Sequence, residues 1–416
     1  MKRRLFRRLS PLFAIALIFA LGAAGNLSLL AQSRRQPPTT NQKKNKRPDG
    51  TEKKEEEPQE ELPPDLNGKP QEAEVVKVTT NVVNVDAVVY SKKSGQIVTG
   101  LKQPNFAIFE DGVQKEITNF STPEAPITVA MVLEYSKLSA AIGAAGAGAG
   151  SYEPGQYEVL RPMAMFLSQF IKPPEDFVTV IAYDIRPTPI TDFTNDPRRI
   201  QQVIDLLLRN NPAFSESNLF DAIKFTLAGG RGDSVVLEDS KQRTSEYSGL
   251  ASVTGRRKAM ILISTGIDTF SKINYDKARK VAQNSGVPIY IIGTGNLYFK
   301  KYGDRLGPTD DLMGSPGRLT FLQAQNQLGT FAKETGGKYY PVTFEGEIPD
   351  VLRQINALLR NQYSLGYNPG DRREGKQHKI IVKVDVDGDG QYDDKEYIVQ
   401  SRLFYNEPKT EKPAGS

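Results

Sequence analysis

The chain has 416 residues, with 54 Lys and Arg, 49 Asp and Glu, one His and no Cys. The length exceeds a single domain of roughly 100 to 200 residues, and the lack of cysteine excludes disulfides, thiol catalysis and a lipidated cysteine anchor. The formal charge of +5 does not mark a nucleic-acid binder, because Lys2, Arg3, Arg4, Arg7 and Arg8 account for it and the remainder is near neutral.

Residues 1–31 begin MKRRLFRR and continue with the apolar run LFAIALIFALGAAG, Leu12 to Gly25. A basic segment followed by an apolar one predicts a signal peptide, cleaved after Ala31 or after Ala24, where Gly22 and Ala24 are both small. Uncleaved, Leu12 to Ala31 would serve as a signal anchor, the only membrane contact expected. Residues 32–74 are rich in Lys, Glu, Pro, Gln and Asn, a composition that buries too little apolar surface to order, so a disordered tether is predicted.

Residues 75–122 change to alternation and β-branching, with Asp111-Gly112 as a hairpin turn, and predict an N-terminal β segment. Within residues 123–362, the strands ITVAMVLEY, DFVTVIAYD, KAMILIST and VPIYIIGTG alternate with amphipathic helices. Continuous apolar strands between such helices predict an α/β fold with a doubly wound, mostly parallel sheet covered on both faces. Residues 363–405 return to strands (QYSLGYN, HKIIVKVDV, EYIVQSRLFY) and are expected to pack with the N-terminal β segment as an accessory β unit. Residues 406–416 read as a disordered tail.

The blocks GLKQPNFAIFEDGVQKEITNF, ITVAMVLEYS, SNLFDAI, ILISTGIDT and LLRNQYSLGYNP, in that order, resemble the exported proteins of acidobacterial type related to the von Willebrand factor A domain. The resemblance covers roughly residues 75 to 405. It implies a von Willebrand factor A fold and a binding role, with a divalent cation held at the carboxyl ends of the strands by Asp-x-Ser-x-Ser, a Thr before Leu-x-Asp-Ala, and an Asp in a later turn. Carried over position by position, Glu134 replaces the first Asp, Ser136 is kept, Leu138 replaces the second Ser, Ser217 replaces Thr, and Thr265 replaces the last Asp. Ser139 and Asp268 supply oxygens only if their loops shift. Magnesium demands near-ideal octahedral oxygen geometry, so these departures predict a degenerate, metal-free adhesion site. The following segment, SAAIGAAGAGAGSYEPG, is glycine-rich and reads as an insertion or a flexible lid.

The segment DVDGDGQYDDKE fits D-x-D-x-D-G-x5-E, with Asp385, Asp387, Asp389 and Glu396 as calcium ligands and Gly390 at the turn. Its flanks alternate like strands, so the alternatives are a calcium loop in a β-hairpin and an acidic hairpin turn. The RGDS string at Arg231 to Ser234 is short enough to arise by chance. His378, the sole histidine, precedes a strand and reads as a surface or hairpin residue. With no thiol, one imidazole, no G-x-S-x-G elbow and no P-loop, an enzyme is not expected. The leading expectation is an exported protein-binding module of adhesion type, in the periplasm, on the surface or outside the cell, whose strand-end loops meet a protein partner. A structural component of an envelope assembly is the alternative, and a secreted hydrolase a remote third.

Overall fold

The computed structural model describes residues 82–123, 125–141, 154–231, 246–311, 316–370 and 374–407. All belong to the second of two units along the chain, Val76–Ser416. The export segment, the tether, the glycine-rich insertion, the last three residues of RGDS and the end of the tail lie outside the described residues.

Strands β1 (Val83–Ser91), β2 (Phe106–Glu110), β3 (Val113–Lys115) and β4 (Ile117–Ser121) come first. The α/β layer follows with β5 (Ile127–Glu134), α1 (Lys137–Ala141), α2 (Pro154–Phe170), β6 (Phe177–Tyr183), β7 (Pro187–Thr194), α3 (Pro197–Arg209) and α4 (Leu219–Ala228). It continues through β8 (Gly230–Arg231), β9 (Glu246–Tyr247), β10 (Arg257–Ser264), α5 (Tyr275–Ser285), β11 (Ile289–Gly293), α6 (Gly295–Tyr302), α7 (Arg318–Thr335), β12 (Tyr339–Pro341) and α8 (Ile348–Arg360). The chain closes with β13 (Tyr363–Tyr367), β14 (Gln377–Val384), β15 (Tyr397–Ser401) and β16 (Phe404–Asn406).

The central sheet has the order β12-β11-β10-β5-β6-β7, parallel throughout except for β7, which runs antiparallel to β6 at the edge. Alternate residues of each strand face opposite layers, and the core divides accordingly. Val129, Met131 and Leu133 of β5 pack with Ile261 of β10 against α2, α3 and α8. Ala130 and Val132 pack with Met260 and Leu262 against α4, α5 and α7. Helix α3 shows how sequence drives this arrangement. Asp196 caps it by accepting from Arg198 N at 2.9 Å, Pro197 starts it, and Ile200, Val203, Ile204 and Leu207 form one buried stripe. Each such side chain contributes roughly 1.5 to 3 kcal/mol on burial. Pro187 and Pro189 in β7 remove ladder donors, which suits an edge strand and hides it from pattern reading.

The terminal strands do pair across the length of the chain, as expected, but they form two sheets. One has the order β15-β1-β13-β4 and the other β16-β14-β2-β3, both antiparallel. Their facing sides share one core of Val83, Val85, Ala87 and Val89 with Ile108, Ile380, Val382 and Val384. Tyr363 sits in it beside Phe106 and Phe120, and its hydroxyl accepts from Leu101 N at 3.1 Å. Contacts to the α/β layer include Arg402 Nη2 donating to Gln283 O at 2.7 Å and Gln400 Nε2 donating to Gly336 O at 3.0 Å.

Candidate functional site at the carboxyl ends of the strands

Parallel register places Leu133 beside Ile263, so Glu134 at the end of β5 lies against Ser264 and Thr265 at the end of β10. The carboxylate bridges the two strands. Its Oε2 accepts from Thr265 N at 2.7 Å, Thr265 Oγ1 at 2.8 Å and Ser264 Oγ at 3.1 Å, while Oε1 accepts from Ser136 Oγ at 2.9 Å. Tyr183, the last residue of β6, donates its hydroxyl to Ser264 Oγ at 2.8 Å. Burial pushes the Glu134 carboxyl above its ordinary range, against the pull of the Thr265 N–H and the hydroxyls of Thr265, Ser136 and Ser264. Burial, and then the charge of Glu134, pushes the Tyr183 phenol well above its ordinary value.

An apolar cover lies beside this network. Leu138, where the family pattern has a serine, packs with Ile267, Phe321 and Ala324 and with Tyr298, Phe299 and Leu306 of α6 and the loop after it. The start of α6 presses close because residue 295 is glycine; a Cβ there would stand 2.5 Å from Thr265 O. Glu134 is only 3 % exposed, and Ser136, Ser217 and Thr265 are fully buried. Within the strand-end loops expected to meet a partner, these four side chains are therefore enclosed, and hydrogen bonds join Glu134 to Ser136 and Thr265.

The donor set does not fit the divalent cation that the fold family holds here. One carboxylate stands where the pattern has two, and its oxygens already accept from Ser136, Ser264 and Thr265. Ser217 Oγ is buried nearby, but a single hydroxyl supplies no coordination shell. Asp268, half-buried, turns to the start of α4, accepting from Phe220 N at 3.1 Å and from the Ser271 hydroxyl. Sequence reading missed Tyr183 and Ser264, although their places at the ends of neighbouring buried strands are the available signal.

The surrounding loops are tied together. Ser217 N donates to Thr269 Oγ1 at 2.9 Å, Thr269 N to Ser217 O at 2.8 Å, and Phe270 N to Asn218 Oδ1 at 3.1 Å. Lys137 N donates to Phe214 O at 2.7 Å. Two large apolar side chains on these loops face water, Phe270 at 71 % exposed and Phe214 at 43 %, beside the exposed Lys137 and Lys272. Neither phenylalanine was singled out from the sequence.

The acidic hairpin between β14 and β15 brings a different trio together from the one expected. Carboxylate oxygens of Asp385, Asp387 and Asp393 lie within 4.8 Å of one another. Asp389 instead accepts from Gln391 N at 2.7 Å in a local turn, and the main chain of Glu396 is held on the hairpin arm, its carbonyl accepting from Lys92 N at 2.8 Å. Asp393 occupies the ninth position of the calcium pattern, which was the signal for it. Although desolvation opposes it, donation from Gly390 N and Gly388 N holds the Asp385 carboxyl below its ordinary range.

His378 is buried in its hairpin, which corrects the surface half of that expectation. Its Nδ1 lies 2.7 Å from Asp111 Oδ2 and its Nε2 2.8 Å from Glu407 Oε1. Desolvation works against the imidazolium, but these two carboxylates raise its pKa, and the ring links the Asp111-Gly112 turn to Glu407, just after β16.

No family model and no curated protein matches this sequence. Similar solved structures include the PilB minor pilin from Streptococcus sanguinis (13% identity, TM-score 0.38, 57% of this chain, 61% of that one). Proximal thread matrix protein 1 from the mussel byssus, solved with a zinc-occupied MIDAS motif, matches at 11% identity and TM-score 0.38, over 60% of this chain and 49% of that one. The vWF domain of the type V pili tip protein Mfa5 from Porphyromonas gingivalis matches at 14% identity and TM-score 0.36, over 57% of this chain and 95% of that one. This chain thus spans about three fifths of the pilin chain and about half of the byssus protein. The six-stranded order with its one antiparallel edge, helices on both faces and a polar cluster at the carboxyl ends of β5 and β10 give the α/β layer of this chain the von Willebrand factor A fold.

Proposed function

We propose that this chain is an exported adhesion-type module that binds a protein partner without metal, through the rim at the carboxyl ends of its central sheet. The observation that carries this reading is the pairing of a self-satisfied Glu134 network with a rim whose loops are tied to one another and expose Phe270 and Phe214. Ordered aromatic side chains on fixed loops are what a protein interface uses as anchors. Export rests on the N-terminal segment; among the described residues no helix is long and apolar enough to cross a membrane.

The test uses the full-length chain as bait in an extract of the native cells. A captured protein that persists in chelator and binds the Phe270→Asp variant about tenfold or more weakly is the expected result, since central aromatic anchors carry about 2 kcal/mol or more. Capture unaffected by Phe270→Asp but lost in Val113→Asp, on the exposed edge strand β3, would favour the envelope scaffold instead.

The acidic hairpin is proposed to take calcium through Asp385, Asp387 and Asp393. At roughly a hundredfold excess over Kd, calcium should add about 2.7 kcal/mol and raise Tm by a few degrees. The rise should vanish in Asp387→Ala; equal melting with calcium and with chelator removes the assignment.

A further inference from the structure

Between the sandwich and the amino ends of the parallel strands lies a cavity of about 480 Å³, far from the rim described above. Four bases line it, Arg256, Arg257, Lys258 and Arg402, against a single carboxylate, Asp86. Arg257 and Arg402 are 5 % and 8 % exposed. Among the described residues none of the four forms an ion pair.

Their donors go to main-chain carbonyls instead. Arg257 donates to Ala125 O and Gln362 O at 3.0 Å, to Leu359 O at 3.2 Å and to Pro123 O. Arg402 donates to Gln283 O at 2.7 Å and Phe404 O at 2.8 Å, and Lys258 to Ala251 O at 3.2 Å. Arg256 lies 4.6 Å from the Phe177 ring centroid, and its Nε and Nη2, like Arg257 Nε, are buried with no hydrogen-bond partner among the described residues. Asp86 accepts from the Ser364 hydroxyl.

Carbonyl dipoles fix these cations in place without neutralising them. Positive charge with too few counter-charges is unfavourable, and an anion entering the cavity would meet cations already fixed in place. We propose that this cavity binds a small oxyanionic ligand, whose carboxylate or phosphate group is held by Lys258 together with the guanidiniums of Arg256, Arg257 and Arg402. Lys258 keeps two ammonium hydrogens for it, while Arg257 and Arg402, whose N–H groups go to carbonyls, contribute their positive charge.

The test is calorimetry and thermal melting of the full-length chain with inorganic phosphate and with citrate, chloride at matched ionic strength being the reference. Saturable binding and a rise in Tm with either anion, absent with chloride, is the expected result. Phosphate alone would identify a phosphoryl-bearing ligand, and citrate alone a carboxylate. Losing one charge-assisted donor in Lys258→Gln should weaken binding about tenfold or more, while Lys258→Arg retains it. Lys258→Glu supplies the missing negative charge, so without added anion it should melt above Lys258→Gln and respond to neither anion. Neither anion exceeding chloride, full affinity in Lys258→Gln, or an anion response surviving in Lys258→Glu would overturn the proposal.

Discussion

Glu134→Ala should destabilise the protein by about 3 kcal/mol, while Glu134→Gln should melt no lower than the parent at neutral pH. The alanine removes the acceptor for Thr265 N and for three hydroxyls in a place closed to water. The orphaned N–H then bears its full desolvation cost, and a cavity the size of a carboxylate adds to it. Glutamine keeps an oxygen for Thr265 N and the Ser264 hydroxyl, and the hydroxyls of Ser136 and Thr265 rotate to accept the two N–H groups of its amide. Because burial raises the Glu134 pKa, the native state favours the protonated carboxyl. The stability this confers is complete below the ordinary glutamate value and is lost as pH rises through the folded one. The gap in favour of Glu134→Gln should therefore widen on going from about pH 4 to neutrality. Melting curves across that range, with and without millimolar magnesium, check both halves. A magnesium-dependent rise in the parent that disappears in Glu134→Gln would establish a working cation site and end the metal-free reading.

That experiment bears on how far the sequence alone reaches. The parallel strands were legible because β5, β6, β10 and β11 are unbroken apolar runs, and a strand buried on both faces has no other composition open to it. The substitutions at Glu134, Leu138 and Thr265 were legible as departures from a pattern, but their meaning was not. In isolation, Glu for Asp reads as one methylene too many for a metal. In the fold that methylene carries the carboxylate across to Thr265 N, and Leu138 joins an apolar cluster whose other members come from residues 267 to 324. No local pattern connects them, because the contact is made by α6 and α7 arriving from beyond the next strand. The basic cavity was hidden for the same reason: Asp86, Arg257 and Arg402 are brought together only when the terminal strands pair. The calcium spacing singled out the hairpin where three carboxylates do converge, yet local turns diverted Asp389, which periodicity does not report.

The second large effect is expected at the opposite end of the same sheet. Asp176→Ala should cost about 3 to 5 kcal/mol, the range for removing one partner of a buried ion pair. Asp176 is fully enclosed just before β6, and its Oδ1 accepts from Ile127 N at 3.0 Å, its Oδ2 from Lys172 N at 3.0 Å. The guanidinium of Arg360, at the end of α8, grips both oxygens. One carboxylate thus fixes the entry of β5, the turn into β6 and the exit of the last helix, three points where the central sheet begins or is left. Desolvation pushes its pKa up, but Arg360 and the two N–H donors outweigh that and hold it below the ordinary aspartate value. For a depressed carboxyl, the stability is present above the unfolded value and is lost as pH falls through the folded one. The difference between parent and Asp176→Asn should accordingly be largest above about pH 4 and shrink below it. Arg360→Met removes the cation and should leave the buried carboxylate uncompensated. The double variant Asp176→Asn/Arg360→Met should lose less than the sum of the two, with a coupling of about 1 kcal/mol or more by denaturant unfolding. Additive losses would show that Asp176 acts through its backbone donors alone.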